Sequence, residues 1–268
     1  MGEAIVITSG KGGVGKTTTT ANLGTALALL GKRVCLVDTD IGLRNLDVVM
    51  GLENRIIYDL VDVVEGRCTV QKALVKDKRF DDKLYLLPAA QTSDKSAVAP
   101  EQMKQLVDEL KQDYDYVLID CPAGIEQGYK NAVAGADEAI VVTTPEVSAV
   151  RDADRIIGLL EKEEHIKPPR LVINRIRSHM VKNGDMLDID EIVMHLSIDL
   201  LGIIADDENV IKASNNGEPI VLDPTSKASI AYRNIARRIL GESVPLQTLE
   251  EEQKGVFSKL KKFFGVRS

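Results

Sequence analysis

The stretch from Gly10 to Thr17 reads GKGGVGKT and lies between the apolar run Ala4-Ile5-Val6-Ile7 and the sequence TTTTANLGTALALLGKR. The order is strand, glycine loop, helix. It satisfies the G-x-x-x-x-G-K-[ST] pattern in the setting that gives the pattern meaning. Gly10, Gly12, Gly13 and Gly15, with Val14 among them, let the backbone bend tightly and approach an anion. Backbone N–H groups from the loop to Thr18 then point at phosphates, aided by the positive end of the following helix. Lys16 supplies a charge for the β- and γ-phosphates, and the Thr17 hydroxyl is a ligand for Mg²⁺. ATP with Mg²⁺ is therefore the expected ligand. Lys11 is not demanded by the general pattern, and by itself it reads equally as a solvated loop lysine.

Short apolar runs alternate with helical patterns along the chain. Strands are predicted at Val34 to Val37, Leu84 to Leu87, Tyr116 to Ile119, Glu138 to Thr143, Arg170 to Ile173 and, more weakly, Leu200 to Ile204. Helices fit 17–31, 101–112, 147–164, 188–196 and 226–240. Near-continuous apolar strands separated by helices predict an α/β fold, doubly wound, with a mainly parallel sheet covered on both faces, as in P-loop NTPases. Ligands in such sheets bind at the carboxyl ends of the strands. Asp38, Asp120 and Asn174 end three of the strands and are candidates for one site. Asp120, in YDYVLIDCPAG, is the expected acidic partner of the phosphate loop, holding Mg²⁺ directly or through water. The stretch that follows it reads as a switch segment.

With 268 residues the chain is one large α/β domain, and 44% hydrophobic content suffices for its core. No run of 18 apolar residues marks a transmembrane helix, and the N-terminus shows no secretion signal. Cys35, Cys68 and Cys121 have no metal-binding spacing and leave an odd count, which predicts reduced thiols in a cytosol.

Net charge is −7, unevenly placed: 254–268 carries +5 and the rest −12. An acidic body argues against broad DNA binding. The expected division is an ATPase domain over 1–241, an acidic linker over 242–253 and a C-terminal amphipathic helix over 254–268. That tail holds three of the four phenylalanines. On a helix Val256, Phe257, Leu260, Phe263 and Phe264 cover a stripe of about 120°, with Lys259, Lys261 and Lys262 mostly opposite. This is the composition of an interfacial helix for anionic membrane lipid.

The string KGGVGKT resembles the deviant phosphate loop of the ParA–MinD ATPase family, which also includes the nitrogenase iron protein. DTDIGLRNLD from Asp38, DCPAGIE from Asp120 and TPEVSAVRDADRI from Thr144 extend that resemblance over nearly the whole chain, toward the septum-site branch. The resemblance implies a homodimer closed around ATP, with Lys11 reaching the partner subunit's nucleotide. It implies Asp40 as the residue that orients the attacking water, Asp38 near Mg²⁺, and Asn174 at the adenine edge. It also implies partner contacts at Asn45 and Asp152 with a MinC-like division inhibitor, an activating partner of unknown identity, and a bacterial cytoplasmic protein bound peripherally to the inner membrane face. Without the family, Arg151 to Arg155 reads as an ordinary solvated helix face. The loop Ala205-Asp206-Asp207 lacks the proline that many relatives carry there. A DNA-partition ATPase and a flagellar-placement ATPase remain as alternatives; an iron–sulfur carrier would need a thiolate set that three scattered cysteines do not supply.

Overall fold

Burial on both faces selects which apolar runs become strands, and in the computed structural model, which describes residues 1–94 and 97–246, they form one sheet. The strands are β1 (Glu3–Thr8), β2 (Val34–Asp38), β3 (Val75–Lys76), β4 (Leu84–Leu87), β5 (Tyr116–Asp120), β6 (Glu138–Thr143), β7 (Arg170–Ile176) and β8 (Asp199–Ala205). Their spatial order is β3-β4-β2-β5-β1-β6-β7-β8. All neighbours run parallel except β3 against β4. The central positions are Ile, Val, Leu and Ala with essentially no exposure, as a sheet covered on both faces requires.

Helices close both faces. They are α1 (Lys16–Leu29), α2 (Leu46–Met50), α3 (Leu60–Val64), α4 (Val70–Ala73), α5 (Pro100–Asp113), α6 (Gln127–Ala134), α7 (Val147–Leu160), α8 (Ser178–Lys182), α9 (Ile189–Leu196), α10 (Glu208–Asn215) and α11 (Lys227–Ile239). One apolar core joins α5, α6, α7 and α9 to the sheet; the other joins α1, α2 and α11. Helix α1 is buried along most of its length because its residues are small. A β-carbon on Gly24 would lie 2.3 Å from Leu36 Cδ2, so only glycine lets α1 come this close to β2.

Several expectations need correction. The helix expected over 147–164 stops at Leu160, the last buried position of its stripe. Glu161, Glu163 and Glu164 follow, and acidic residues at a helix C-terminus oppose its dipole. Strand β7 runs past Asn174 to Ile176 through a register shift against β8. Helices α2, α3, α4, α6, α8 and α10, none longer than eight residues, and the two-residue β3 were not foreseen. The tail, 254–268, and most of the expected linker lie outside the described residues. What is described of the linker is tied to the body: Arg237 Nε meets Glu242 Oε2 at 2.7 Å, and Arg238 donates to the Val244 and Pro245 carbonyls at 2.9 and 2.6 Å.

Candidate nucleotide site

Strand β1 is the point where the winding of the sheet reverses, with β5 on one side and β6 on the other. A crevice opens beyond the carboxyl end of such a strand. The phosphate loop sits there. Gly13 and Gly15 have φ of +80° and +102°, a region that side chains with a β-carbon rarely enter. Gly15 is the N-cap of α1, so the first free N–H groups of that helix face the loop.

Lys16 is only 7% exposed, and its ammonium donates to Ser9 Oγ at 2.9 Å. Ser9 Oγ in turn donates to the Lys11 carbonyl at 2.8 Å. A buried lysine hydrogen-bonded to a neutral hydroxyl, with the buried Asp120 carboxyl close enough to feel its charge, is poised for an anion, since a buried ammonium is costly unless well paired. Ser9 was not named from the sequence, where a serine after a strand carries no signal.

The register of β2 against β5 sets Asp38 directly beside Asp120. Both are buried, at 1% and 2% exposure. Burial pushes the Asp120 carboxyl up to about 8, with the Asp38 charge adding to the rise and a hydrogen bond from Thr17 opposing it. Thr20 Oγ1 also donates to Asp120 Oδ1, at 3.2 Å. Burial raises Asp38 to about 6, countered by the N–H groups of Asp40 and Leu46, which donate to its two oxygens at 2.9 and 3.2 Å. Two adjacent buried carboxylates and the half-buried Thr17 hydroxyl are hard oxygen donors. Among the described residues no cluster of three or more His, Cys, Asp or Glu could hold a metal alone. The set fits Mg²⁺, which is characteristically held by one or two carboxylates together with phosphate oxygens.

Asp40 is half-buried in the loop after β2, its carbonyl accepting from Leu43 and Arg44 N–H at 3.1 Å each. Arg44 has φ +32°, and its Nε lies 2.8 Å from the buried Asp47. Asn45 is exposed and is the N-cap of α2, without a side-chain cap bond. Lys11, 43% exposed, rests on the first turn of α7: its Nζ lies 3.1 Å from Ser148 Oγ and 3.7 Å from Glu146 Oε2. Asp152 lies on the same helix, half-buried. A β-carbon on Gly10 would come 2.0 Å from the Asp152 carbonyl oxygen, so phosphate loop and α7 are in backbone contact.

Beside Thr18 lies a cavity of about 200 Å³ lined by Asn174, Arg175, Arg177, Ala205 to Asp207 and Tyr232. Of the residues expected to contact a nucleotide, Thr18 and Asn174 line it. Asp206 pairs with Arg177 at 2.6 Å, and Asp207 caps α10 while accepting from Ser226 at 2.7 Å. Tyr232, Arg175 and Arg177 are lining residues that the sequence reading did not name. Tyr232 comes from α11, far along the chain, and no local pattern marks it.

The family model described as the CobQ/CobB/MinD/ParA nucleotide binding domain matches residues 5–220. The chain is 83% identical over 268 residues to the septum site-determining protein MinD of Bacillus subtilis (strain 168), covering all of both chains.

The chain belongs to the MinD/ParA family of nucleotide-binding proteins.

Among solved structures, the MinC:MinD cell division protein complex of Aquifex aeolicus superposes with a TM-score of 0.84 at 53% identity, covering 92% of this chain and 98% of that one. A MinD from Pyrococcus horikoshii OT3 complexed with Mg-ADP gives 0.80 at 31% identity, covering 89% and 96%. The eight-stranded sheet is thus the MinD/ParA fold, as the strand pattern predicts. Within it, the structure brings Lys16, Thr17, Asp38, Asp120 and Asn174 to one end of the sheet. Lys11, Asn45 and Asp152 lie on or beside its rim. Among the described residues no helix is long and apolar enough to cross a membrane.

Proposed function

We propose that this MinD/ParA chain is an ATP-operated switch that binds Mg²⁺·ATP, closes into a homodimer, docks its tails on anionic membrane and recruits a MinC-like division inhibitor. Hydrolysis to ADP and phosphate opens the dimer and releases it. The observation that carries the reading is the buried Lys16 at the mouth of a glycine loop, beside the paired carboxylates Asp38 and Asp120. The full-length likeness to MinD, the Mg-ADP complex of one relative and the MinC complex of another support it.

In this reading Lys16 exchanges Ser9 Oγ for a phosphate oxygen. The loop N–H groups, with those of Thr17 and Thr18, cradle the phosphates. Thr17, Asp38 and Asp120 hold Mg²⁺, which when bound neutralises charge on the phosphate oxygens. Asp40 orients the attacking water and draws its proton. Lys11 leaves Ser148 and Glu146 and places its charge on the partner subunit's phosphates, as an arginine finger does. Its contacts on α7 are exposed and weak, so exchanging them costs little. Asn45 and Asp152 lie on the surface that meets the inhibitor.

The deciding experiment is phosphate release from ATP with and without Mg²⁺ on the intact chain. Turnover should need the metal and should vanish in Lys11→Ala. Metal-independent turnover, or a Lys11→Ala protein of normal rate, would remove the assigned roles.

A further inference from the structure

The hydroxyl of Ser9 meets both lysines of the phosphate loop. Ser9 directly follows β1 and is 1% exposed. The phosphate-loop pattern begins at Gly10 and makes no demand on this position. Ser9 Oγ accepts from the Lys16 ammonium at 2.9 Å, in a bond buried from solvent, and donates to the Lys11 carbonyl at 2.8 Å. A serine hydroxyl has one hydrogen to give and two lone pairs with which to accept. Its hydrogen is committed to the Lys11 carbonyl, so the ammonium meets the lone pairs. The loop backbone thus orients the hydroxyl as an acceptor, and a bond from a charged donor is of the stronger kind. The Asp120 carboxyl feels the same charge, but its hydrogen bonds come from Thr17 and Thr20. Lys16 is the first residue of α1, and Thr20 Oγ1 donates to its carbonyl at 3.0 Å. Its backbone is therefore held by the helix, and a change of partner is made by the side chain alone.

We propose that Ser9 is a positioning residue that competes with the nucleotide for Lys16: it holds the ammonium in the nucleotide-free chain and takes it back as the nucleotide leaves, which lowers affinity and speeds release. The proposal rests on Lys16 being the ligand of the β- and γ-phosphates. Lys16 must break its bond to Ser9 before its charge reaches a phosphate oxygen, so binding exchanges one partner for another and gains only the difference. In a switch that sheds ADP before its next cycle, an acceptor inside the loop shortens the lifetime of the spent complex.

The test is equilibrium titration and stopped-flow dissociation of labelled Mg²⁺-ATP, Mg²⁺-ADP and AMP with wild type, Ser9→Ala, Lys16→Ala and the double variant. Ser9→Ala also strips the Lys11 carbonyl of its donor, an effect that does not pass through Lys16 and so cancels in the cycle. Relative to its effect in the Lys16→Ala background, Ser9→Ala should tighten ATP and ADP by about tenfold, the scale of one hydrogen bond to a charged group, and the gain should appear as slower dissociation. AMP, which lacks the β- and γ-phosphates, should show no such difference. An equal effect of Ser9→Ala in both backgrounds, or a weakening that needs Lys16, would overturn the proposal, because Ser9 would then serve the bound state at least as well as the free one. A tightening shared by AMP would overturn it too, by placing the effect away from the β- and γ-phosphates. Unchanged ATP affinity in Lys16→Ala alone would instead overturn the phosphate-site reading, and the proposal with it.

Discussion

Lys16 is a buried charge hydrogen-bonded to the neutral Ser9 hydroxyl and felt by the Asp120 carboxyl. In the proposed function Lys16→Ala removes one charge-assisted contact with the phosphates while the backbone cradle stays. ATP affinity should fall by roughly 10- to 100-fold, and titration with a labelled nucleotide measures it. In the proposed function Asp40 acts on water and not on phosphate, so Asp40→Ala should keep ATP affinity within about threefold and lose on the order of 10²–10⁴-fold in turnover, the range for general-base catalysis. Light scattering should find that variant dimeric with ATP; a monomer there would take the water-orienting role from Asp40. Much of the candidate site's residue set was legible in the sequence. GKGGVGKT and the strand-ending Asp38 and Asp120 are local patterns, and local patterns survive without coordinates. Ser9, Thr20 and Tyr232 were not legible, because each matters only through a partner that folding brings to it.

Among the elements, α7 is the one fastened to the site. Gly10 abuts its backbone and Lys11 rests on its first turn. A helix so placed can register what happens at the phosphates, and it carries Asp152. Gly10→Ala must push loop and helix apart, since a 2.0 Å approach to a backbone oxygen cannot be absorbed by a rotamer. A cost of roughly 1–3 kcal/mol is expected for such overpacking, read as a lower denaturant midpoint at unchanged slope. At the opposite end of the sheet, burial raises the Glu138 carboxyl, but Lys167 and Arg170 outweigh it and hold Glu138 below its usual range. A depressed carboxyl stabilises the fold above its unfolded value and loses that contribution as pH falls through its folded one. Lys167→Ala should therefore flatten the acid limb of a stability–pH curve, and by little, because Lys167 is 58% exposed. The long strands and helices were readable from periodicity. Helices α6 and α10 and strand β3 were not, because their short sequences carry no clear apolar stripe of the kind that α9 shows; nor was the bulge in β7, beside which Asn174 meets Val14 across 160 positions.

For the whole molecule, the proposal couples a nucleotide site at one end of the sheet to a basic, phenylalanine-rich tail. A buried Phe or Leu contributes roughly 1.5–3 kcal/mol and a lysine near anionic lipid about 1 kcal/mol. Interfacial burial is partial, and ordering a segment of about twelve residues opposes it, since isolated helices that short are marginal in water. One tail should thus bind weakly, and two on an ATP-held dimer should gain about 10²-fold through effective concentration. Neutralising Lys259, Lys261 and Lys262 should weaken binding on anionic vesicles and spare what remains on neutral ones, and high salt should mimic the loss. Flotation with vesicles of each composition measures both effects. Removing 255–268 should abolish membrane binding and leave ATP-dependent dimerisation intact. The most direct test of the account is to titrate ATP against the intact chain and follow dimer mass by light scattering and vesicle-bound fraction by flotation in the same samples. The account predicts that the two curves rise together, that ADP raises neither, and that Lys16→Ala leaves both flat. A monomer that binds anionic vesicles equally well with ADP and with ATP would contradict it.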